Sequence, residues 1–331
     1  MYAITIDAGT TNTRVSLWSD GTVIQQAFHP AGVRDTAITG STDTLKRAVR
    51  TAIREVLDAA GIQNTQGITF LASGMITSNV GLVEIPHIAA PAGLQELAAG
   101  MVQHSLPDVI DEPIWFVPGV KNHVTEVTLE TCETMDVIRG EEVEVIGVLE
   151  TLKLRGPAVL VLPGSHSKMI SIDDHNRITG CVTTIAGELL DVITKNTILA
   201  NALNNSFATE IEESVLLQGA EYVNKTGLAR TCFTVRILDM FSGMSLNQKA
   251  NFLLGAVLGA DMLALKNSDA LHFHPSDPIV IHGKKLMKDA LAALIRQDPY
   301  FTGELHIAGD HVAGVAGSGA LAIARARGIL G

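Results

Sequence analysis

The sequence predicts an α/β protein built from two domains, and three observations lead to this prediction. The chain has 331 residues, which is too long for one typical hydrophobic core and suits two domains of ordinary size. A strand, a short polar loop and a return strand begin the sequence, and the same pattern recurs about one domain's length later. Between and after these repeats, amphipathic helical segments alternate with short apolar strands.

The first strand, loop and strand open the chain. Ile4 and Ile6 alternate with smaller or polar residues, and Val15 and Leu17 repeat the alternation, which predicts two antiparallel strands. The loop between them offers hydroxyl, amide and main-chain N–H donors that suit phosphate oxygens, although an ordinary polar turn has the same composition. The residues assigned to phosphate binding are Gly9, Thr10, Thr11 and Asn12, and Asp7 at the strand end is placed to hold a metal ion.

The second hairpin lies at residues 158–172. The continuous apolar strand 158–162 precedes the polar loop 163–168, and 169–172 is the return strand. Because an internal duplication is harder to produce by chance than one polar loop, the recurrence favours phosphate binding at both loops. Lys168 would add a point charge for phosphate, although a lysine at the far side of a hairpin is usually solvated. The second set of predicted phosphate ligands is Gly164, Ser165, His166 and Lys168.

The composition disfavours several classes of protein. Lys and Arg total 24 against 35 Asp and Glu, for a net charge of −11, so nucleic-acid binding is not expected. Three widely separated cysteines, without a Cys-x-x-Cys pair, indicate a reduced cytoplasm rather than a disulfide frame or a thiolate metal site. We expect no membrane segment, because the most apolar region, 252–265, is short and contains Asp261. The Gly-x-x-x-x-Gly-Lys-Ser/Thr pattern of P-loop enzymes does not occur in the sequence.

The remaining elements follow from hydrophobic periodicity. Apolar residues at helical spacing predict a helix over 43–60 that ends before Gly61. The apolar run 68–72 predicts a strand, and residues 73–75 follow it at a sheet edge, where ligand sites are common. Other helices are predicted over 91–104, 136–152, 188–203, 206–224, 236–240, 247–265, 284–296 and 311–327, and other strands over 22–28, 114–117, 177–185, 278–283 and 304–308. The predicted domains are 1–185 and 186–331, with a boundary nearer 130–155 as the alternative.

Two sets of motifs carry a resemblance to known families. Ile-Asp-Ala-Gly-Thr-Thr-Asn at 6–12 resembles the first phosphate motif of the sugar kinase, heat-shock protein and actin superfamily. Asp-Val-Ile-Arg-Gly-Glu-Glu at 136–142 and Pro-Gly-Ser-His-Ser-Lys at 163–168, with Gly-Met-Ile at 74–76 and Ala-Gly-Glu-Leu at 186–189, resemble the 2-dehydro-3-deoxygalactonokinase family. The resemblance implies an actin-like ATPase fold with two ribonuclease H-like domains, each with a mixed sheet flanked by helices, and a cleft between them.

The resemblance also implies an activity, which is ATP-dependent phosphorylation of 2-dehydro-3-deoxy-D-galactonate on its 6-hydroxyl in galactonate catabolism. The implied cofactors are ATP and Mg²⁺, and the implied partner is a small-molecule sugar acid. No nucleic-acid or membrane partner is expected, and a homodimer is compatible with the sequence. Two departures from the family pattern leave a related keto-deoxy sugar acid open as the substrate. Thr-Ser-Asn-Val-Gly-Leu at 77–82 stands in place of Gly-Ser-Arg-Gln-Gly-Trp, and Ser165 and Met169 stand in place of Thr and Trp.

The resemblance assigns Asp136 as the general base that takes the proton of the acceptor hydroxyl, and the alternative is a helix cap, a common role of Asp. Arg139 is a candidate for the substrate carboxylate, since a guanidinium matches a carboxylate bidentately, and the alternative is an ion pair with Glu142. The other substrate candidates are Ser73, Gly74 and Met75, which could equally form a plain strand end. The adenine candidates are Gly283, Lys284 and Gly314.

Two other classes of function are weaker. A non-catalytic protein on the same scaffold could use ATP to control a partner through domain closure, but the sequence lacks a long peptide-binding extension. A dehydrogenase using the Gly-rich segment near residue 314 would need a following strand and an acidic ribose ligand, and neither is predicted.

Overall fold

The computed structural model describes residues 1–309 and 314–330. The strands are β1 (Tyr2–Ala8), β2 (Thr13–Ser19), β3 (Thr22–His29), β4 (Thr69–Gly74), β5 (Ile88–Ala89), β6 (Val102–Leu106), β7 (Ile110–Phe116), β8 (Val120–Lys121), β9 (Val137–Ile138), β10 (Ala158–Leu162), β11 (Ser167–Ile172), β12 (Ile178–Thr184), β13 (Ile279–Ile281) and β14 (Leu305–Ile307). The helices are α1 (Val33–Thr39), α2 (Asp43–Ala59), α3 (Leu94–Gly100), α4 (Glu141–Leu152), α5 (Ala186–Asn196), α6 (Glu213–Thr226), α7 (Leu228–Phe241), α8 (Leu246–Asn267), α9 (Lys285–Gln297) and α10 (Val315–Ala326).

Five strands follow the same order in both large sheets. The first sheet has the order β3-β2-β1-β4-β7-β6, in which β6 is an additional antiparallel edge strand, and the second has the order β12-β11-β10-β13-β14. In each sheet three consecutive antiparallel strands are followed by two strands parallel to the first of the three. The predicted duplication is therefore confirmed, and so is the α/β class with a mixed sheet in each half. A third, three-stranded sheet has the order β5-β8-β9.

Helices pack against the large sheets through their apolar faces. The periodicity predicted over 43–60 is confirmed by α2, whose buried residues Leu45 and Val49 share a core with Ile4 and Ile6 of β1. Helices α8 and α9 share a second core with strands β10 and β13. Burial of apolar surface is the main favourable contribution to such packing.

Helices α4 and α10 cross within a core that includes residues of both large sheets, among them Leu71 of the first and Leu160 of the second. At the crossing a Cβ atom on Gly319 would overlap the carbonyl oxygen of Val143, and a Cβ on Gly147 would overlap main-chain atoms of α10. Only glycine allows the two backbones to approach this closely. The crossing therefore connects the two halves of the molecule.

Replacing Gly319 by Ala is expected to destabilise the protein by about 1–3 kcal/mol, because backbone rather than a flexible side chain must move. Gly243→Ala is the matched control, since no described atom lies within 4 Å of a Cβ built at that position. Urea unfolding followed by circular dichroism measures both variants. Equal unfolding midpoints would contradict the close crossing.

The predicted helix over 136–152 is wrong in its first turn. Residues 137–138 form strand β9, and α4 begins only at Glu141 after Gly140, whose φ is 111°. A positive φ interrupts a right-handed helix, so Asp136 does not cap α4. The helix predicted over 91–104 is also shorter, because the chain becomes extended at Met101 and continues as β6, which pairs with β7.

The helix boundaries in the C-terminal part of the chain also differ from the predicted ones. Helix α5 ends at Asn196, and α6 begins only at Glu213, so most of the residues between them are outside helices. The helix predicted over 236–240 is the end of the longer α7. The last predicted helix is α10, and residues 311–313 of that prediction lie outside the described residues.

The second hairpin belongs to the sheet of the C-terminal half, since β10 pairs with β13 and β11 pairs with β12. We therefore propose that the domain boundary lies within residues 130–155 rather than at 185. In the described part of the chain, no helix combines the length and the apolar composition needed to cross a bilayer.

Candidate active site

The loop of the first hairpin is held in a tight turn. The Gly9 N–H donates to the Asn12 carbonyl at 2.9 Å, and the Thr10 carbonyl accepts from the Arg34 N–H at the start of α1, also at 2.9 Å. Thr10, Thr11 and Asn12 are exposed. This loop lines a cavity of about 170 Å³ together with Asp7, Arg14 and Phe28. The predicted first set of phosphate ligands therefore surrounds one open space with Asp7 at its edge.

Charged side chains from two elements surround Asp7. Arg14 lies directly opposite Asp7 in the pairing of β1 with β2. Burial raises the pKa of Asp7, the charge of Arg14 lowers that pKa, and the charge of Glu141 raises it. Burial also raises the pKa of Glu144 to about 8, with further contributions from Glu141 and Asp7. Three carboxyl groups and one guanidinium thus share this end of the site.

The sequence patterns did not single out three residues of this site, which are Arg14, Glu141 and Glu144. The hairpin register could have identified Arg14, because a four-residue loop pairs Ala8 with Thr13 and hence Asp7 with Arg14. The spacing of Glu141 and Glu144 places them on one face of a helix, but only the fold shows that this face points toward Asp7.

Two glycines bring the start of α4 close to Asp7. A Cβ built on Gly74, which has φ 84°, would lie 3.0 Å from Oδ1 of Asp7. A Cβ on Gly140 would lie 3.1 Å from the Cα of Gly74. The Gly140 N–H donates to the Glu142 carboxylate at 2.7 Å, which fixes the turn into the helix. The Arg-Gly-Glu-Glu motif is therefore packed against the end of β4.

The loop of the second hairpin packs against the start of α5. The Ser165 carbonyl accepts from the Glu188 N–H at 3.0 Å, and Nε2 of His166 lies 2.9 Å from the Glu188 carboxylate. A Cβ on Gly187 would overlap the carbonyl oxygen of Gly164. Gly283 lies beside Pro163, since a Cβ built on it would be 3.1 Å from the proline ring. The structure thus brings the predicted strand-to-helix junction 283–284 next to this loop.

Asp136 contacts the second hairpin. Its carboxylate accepts from the Thr183 N–H at 2.5 Å, from the Thr183 hydroxyl at 3.0 Å and from the Val137 N–H at 2.6 Å. Nζ of Lys168 donates to the Thr183 hydroxyl at 2.8 Å and approaches the Val137 carbonyl at 3.5 Å. Lys168 is therefore not simply solvated. Residues 136–141 extend from the second hairpin at one end to Gly74 and Asp7 at the other.

Arg139 is engaged by the protein. Its guanidinium donates to the carbonyl of Thr77 at 2.6 Å and to the carbonyl of Ile85 at 3.0 Å, and it lies 3.1 Å from Nε2 of His87. The ion pair with Glu142 is not formed, and Glu141 instead accepts from the Arg139 main-chain N–H. Arg139 thus holds the loop 77–87 in place, and both terminal nitrogens of its guanidinium contact protein groups.

The other predicted residues lie along the same sheet edge or on the last helix. Ser73 and Gly74 are buried at the end of β4, and Met75, partly exposed, begins a single turn of 3-10 helix. Gly314 precedes α10 with φ 92° and packs against Trp18. Gly314 also lines a small pocket whose other lining residues include Asp7, Arg14, Ser16 and Ser73. The structure therefore places Gly314 near Asp7 and places Gly283 near Pro163.

A buried carboxyl group lies beneath the second hairpin. Ser167 and Thr184 are directly opposite each other in the pairing of β11 with β12. Asp261 of α8, which is 3% exposed, lies near both hydroxyls, but neither hydroxyl forms a hydrogen bond within the described residues. Burial raises the pKa of Asp261 to about 6, and the two hydroxyls partly oppose this increase.

The raised pKa of Asp261 predicts a pH-dependent stability. Ionised Asp261 destabilises the folded state at neutral pH, and this penalty disappears as the pH falls through 6 toward the unfolded-state value of 3.8. The free energy of unfolding of Asp261→Asn, relative to that of the wild type, should therefore be about 2–3 kcal/mol higher at pH 7 than at pH 4. Chemical denaturation at both pH values measures this difference. The exposed Asp269→Asn control should show no such change, and a pH-independent Asp261→Asn difference would contradict the prediction.

Comparison with known proteins identifies the family. A family model described as 2-keto-3-deoxy-galactonokinase matches residues 7–308. The chain belongs to the 2-keto-3-deoxy-galactonokinase family. A Rhizobium meliloti (strain 1021) protein assigned as a 2-dehydro-3-deoxygalactonokinase is 25% identical over 268 residues, which are 79% of this chain and 79% of that protein. A crystal structure from Sinorhizobium meliloti, assigned to the same activity, has a TM-score of 0.74 at 23% identity and covers 98% of this chain and 96% of its own.

Membership of the 2-keto-3-deoxy-galactonokinase family confirms the predicted family and the predicted enzyme class, a sugar-acid kinase. The structural similarity covers nearly the whole chain, and the two sheets repeat one topology. The predicted α/β fold, with a mixed sheet flanked by helices in each half, is therefore confirmed as well. The family does not by itself assign roles to individual residues.

Proposed function

We propose that the protein phosphorylates 2-dehydro-3-deoxy-D-galactonate on its 6-hydroxyl, with ATP as donor, to give 2-dehydro-3-deoxy-6-phosphogalactonate. The observation that carries this proposal is the path of residues 136–141. This segment contacts Thr183 and Lys168 of the second hairpin at one end and Gly74 beside Asp7 at the other. Such a path puts the groups needed for phosphoryl transfer along one short segment.

In this proposal the ATP phosphates lie between the two hairpin loops. Main-chain N–H groups and hydroxyls of Thr10, Thr11 and Asn12 bind from one side, and those of Gly164 and Ser165 bind from the other. The exposure of the first loop and its tight turn support this role. We assign the adenine to the junction at Gly283 and Lys284, because this junction lies beside the second loop.

The carboxylates around Asp7 fit a magnesium ion. Mg²⁺ prefers oxygen ligands and retains several waters, so one or two carboxylates suffice. Asp7 would hold the ion with Glu141 or Glu144; burial raises the pKa values of Asp7 and Glu144, and a cation beside them would favour the ionised carboxylates. When bound, the ion neutralises charge on the transferred phosphoryl group.

We assign Asp136 as the general base. The 6-hydroxyl of the acceptor loses its proton to the Asp136 carboxylate while its oxygen attacks the γ-phosphorus and the bond to the β-phosphate oxygen breaks. The contacts from Thr183 and Val137 hold the carboxylate in one orientation, which supports this role. Proton transfer and phosphoryl transfer then need little movement of the protein.

A kinase for a related keto-deoxy sugar acid is the second candidate, because the loop contacted by Arg139 contains the departure at 77–82. We also propose a cytoplasmic location, in keeping with the sparse cysteines, and a homodimer as the assembly to be tested.

A coupled assay of ADP formation over a panel of 2-keto-3-deoxy sugar acids tests the proposed function. We expect ADP formation to require an acceptor, and the galactonate-derived acid to give the highest kcat/KM. Phosphorus NMR of the product should show a phosphate ester at C6. ADP formation that is independent of every sugar acid, or highest with another member of the panel, would contradict the proposed substrate.

A further inference from the structure

The small sheet β5-β8-β9 has one buried face and one open face. Val120 and Ile138 on neighbouring strands are fully buried in the core. On the other face, Ala89, Lys121 and Val137 lie side by side in the strand register. Ala89 and Val137 are exposed, and Lys121 is partly buried. Lys121 is therefore at the centre of an open surface.

Lys121 carries a charge that the protein does not neutralise. Among residues 1–309 and 314–330, its amine has no hydrogen-bond or ion-pair partner, whereas the neighbouring Arg139 guanidinium is occupied by Thr77 and Ile85. Lys121 is thus a cation available to an anionic ligand on this face, in a chain whose net charge is −11. An anionic ligand would provide the missing partner.

His87 lies close to both cations. It contacts Arg139, and burial together with the charges of Arg139 and Lys121 lowers the pKa of His87 to about 4. His87 is therefore neutral at physiological pH and can exchange hydrogen bonds with a hydroxyl or a carbonyl group. A cation beside a neutral polar ring suits a ligand that has both a carboxylate and oxygen substituents.

The open face lies near the proposed reaction site. Strand β8 follows β7, whose end is paired with Ala72 near the carboxyl end of β4. Ligands of α/β sheets bind at the carboxyl ends of parallel strands. Val137, beside Lys121, has its carbonyl 3.5 Å from Nζ of Lys168 in the second hairpin. The face thus extends from the end of the first sheet toward the second hairpin.

We propose that Lys121 binds the carboxylate of the sugar-acid acceptor on the open face of β5-β8-β9, with His87 hydrogen-bonding to the adjoining keto or hydroxyl oxygen. This proposal rests on the proposed function and names the carboxylate ligand, in place of Arg139. Arg139 positions His87 and the loop 77–87 instead. The kinase then selects an acid over a neutral sugar through one charged side chain.

Lys121→Met tests the proposal. Lys153→Met is the matched control, because Lys153 follows the C-terminal end of α4, whereas residues 136–141 lie at its N-terminal end. Loss of a charge-assisted hydrogen bond should raise KM for the sugar acid by about 10–100-fold. KM for ATP should change by less than about twofold, since the nucleotide contacts remain. Lys121→Arg, which keeps the charge, should restore most of the affinity, and thermal unfolding should show that all three variants fold.

The C1 amide of the same acid provides the decisive comparison. The wild type should prefer the acid to the amide by at least about tenfold, and Lys121→Met should lose this preference. An unchanged preference in Lys121→Met, or an equal loss in Lys153→Met, would overturn the assignment while leaving the kinase activity established. A wild-type protein inactive on every sugar acid would instead overturn the proposed function.

Discussion

Asp7→Asn should lower kcat by about 10²–10³-fold, because it removes a carboxylate that we place beside the magnesium ion and the transferred phosphoryl group. Asp7 lies in the cavity of the first loop, and Arg14 is its direct partner across the hairpin. An amide has the same shape but cannot neutralise the ion. Steady-state kinetics at several Mg²⁺ concentrations should show that excess metal only partly restores the rate.

The same substitution should increase stability in metal-free buffer. Burial raises the pKa of Asp7, so the ionised carboxylate opposes folding at pH values above the unfolded-state pKa. Asparagine removes this penalty, and the advantage of Asp7→Asn should shrink as the pH falls toward 4. Mg²⁺ with ATP should raise the melting temperature of the wild type more than that of the variant.

Asp58→Asn on the exposed face of α2 is the matched control for Asp7→Asn, and it should change neither the rate nor the metal response. If Asp7→Asn kept normal turnover, or if its melting temperature fell in metal-free buffer, the proposed role of this carboxylate would be wrong.

Asp136→Asn is expected to lower kcat by about 10²–10⁴-fold, the usual effect of losing a general base. The affinity for ATP, measured by calorimetry, should remain within a few-fold of the wild type, since the two phosphate loops are unchanged. Some loss of stability is also expected, because the amide group would face the Thr183 N–H and hydroxyl, both of which now donate to the carboxylate.

Thr183→Val separates these two effects. It removes the hydroxyl that contacts both Asp136 and Lys168 but leaves the carboxylate and its main-chain contacts. If Asp136 is the general base, Asp136→Asn should lose far more turnover than Thr183→Val at comparable stability. Near-normal turnover in Asp136→Asn would rule out the assigned base, and equal losses in the two variants would show that the carboxylate acts only as a structural contact.

Much of the fold could be predicted from the sequence, because its signals are local. The alternation of Ile4 and Ile6 predicts β1, and the apolar run at 158–162 predicts β10. The two hairpins then reveal the duplication that the strand orders confirm. The predicted start of α4 was wrong for an equally local reason, since the positive φ of Gly140 is not visible in the hydrophobic pattern.

The site was harder to predict because its contacts join distant parts of the chain. Arg139 binds Thr77 and Ile85, which are 62 and 54 residues away in sequence, so its spacing could not show that its donors are occupied. Lys121 lies beyond the predicted strand 114–117 and belongs to no motif in the sequence. Its position at the centre of an open face is visible only once the fold places β8 between β5 and β9.

A crystal structure with Mg²⁺ and a non-hydrolysable ATP analogue tests the central claim, which is that the two hairpin loops bind one triphosphate between them. We expect phosphate oxygens within about 3 Å of main-chain N–H groups in both 9–12 and 164–165, with the ion beside Asp7. Phosphates bound to only one of the loops, or bound away from Asp7, would contradict it.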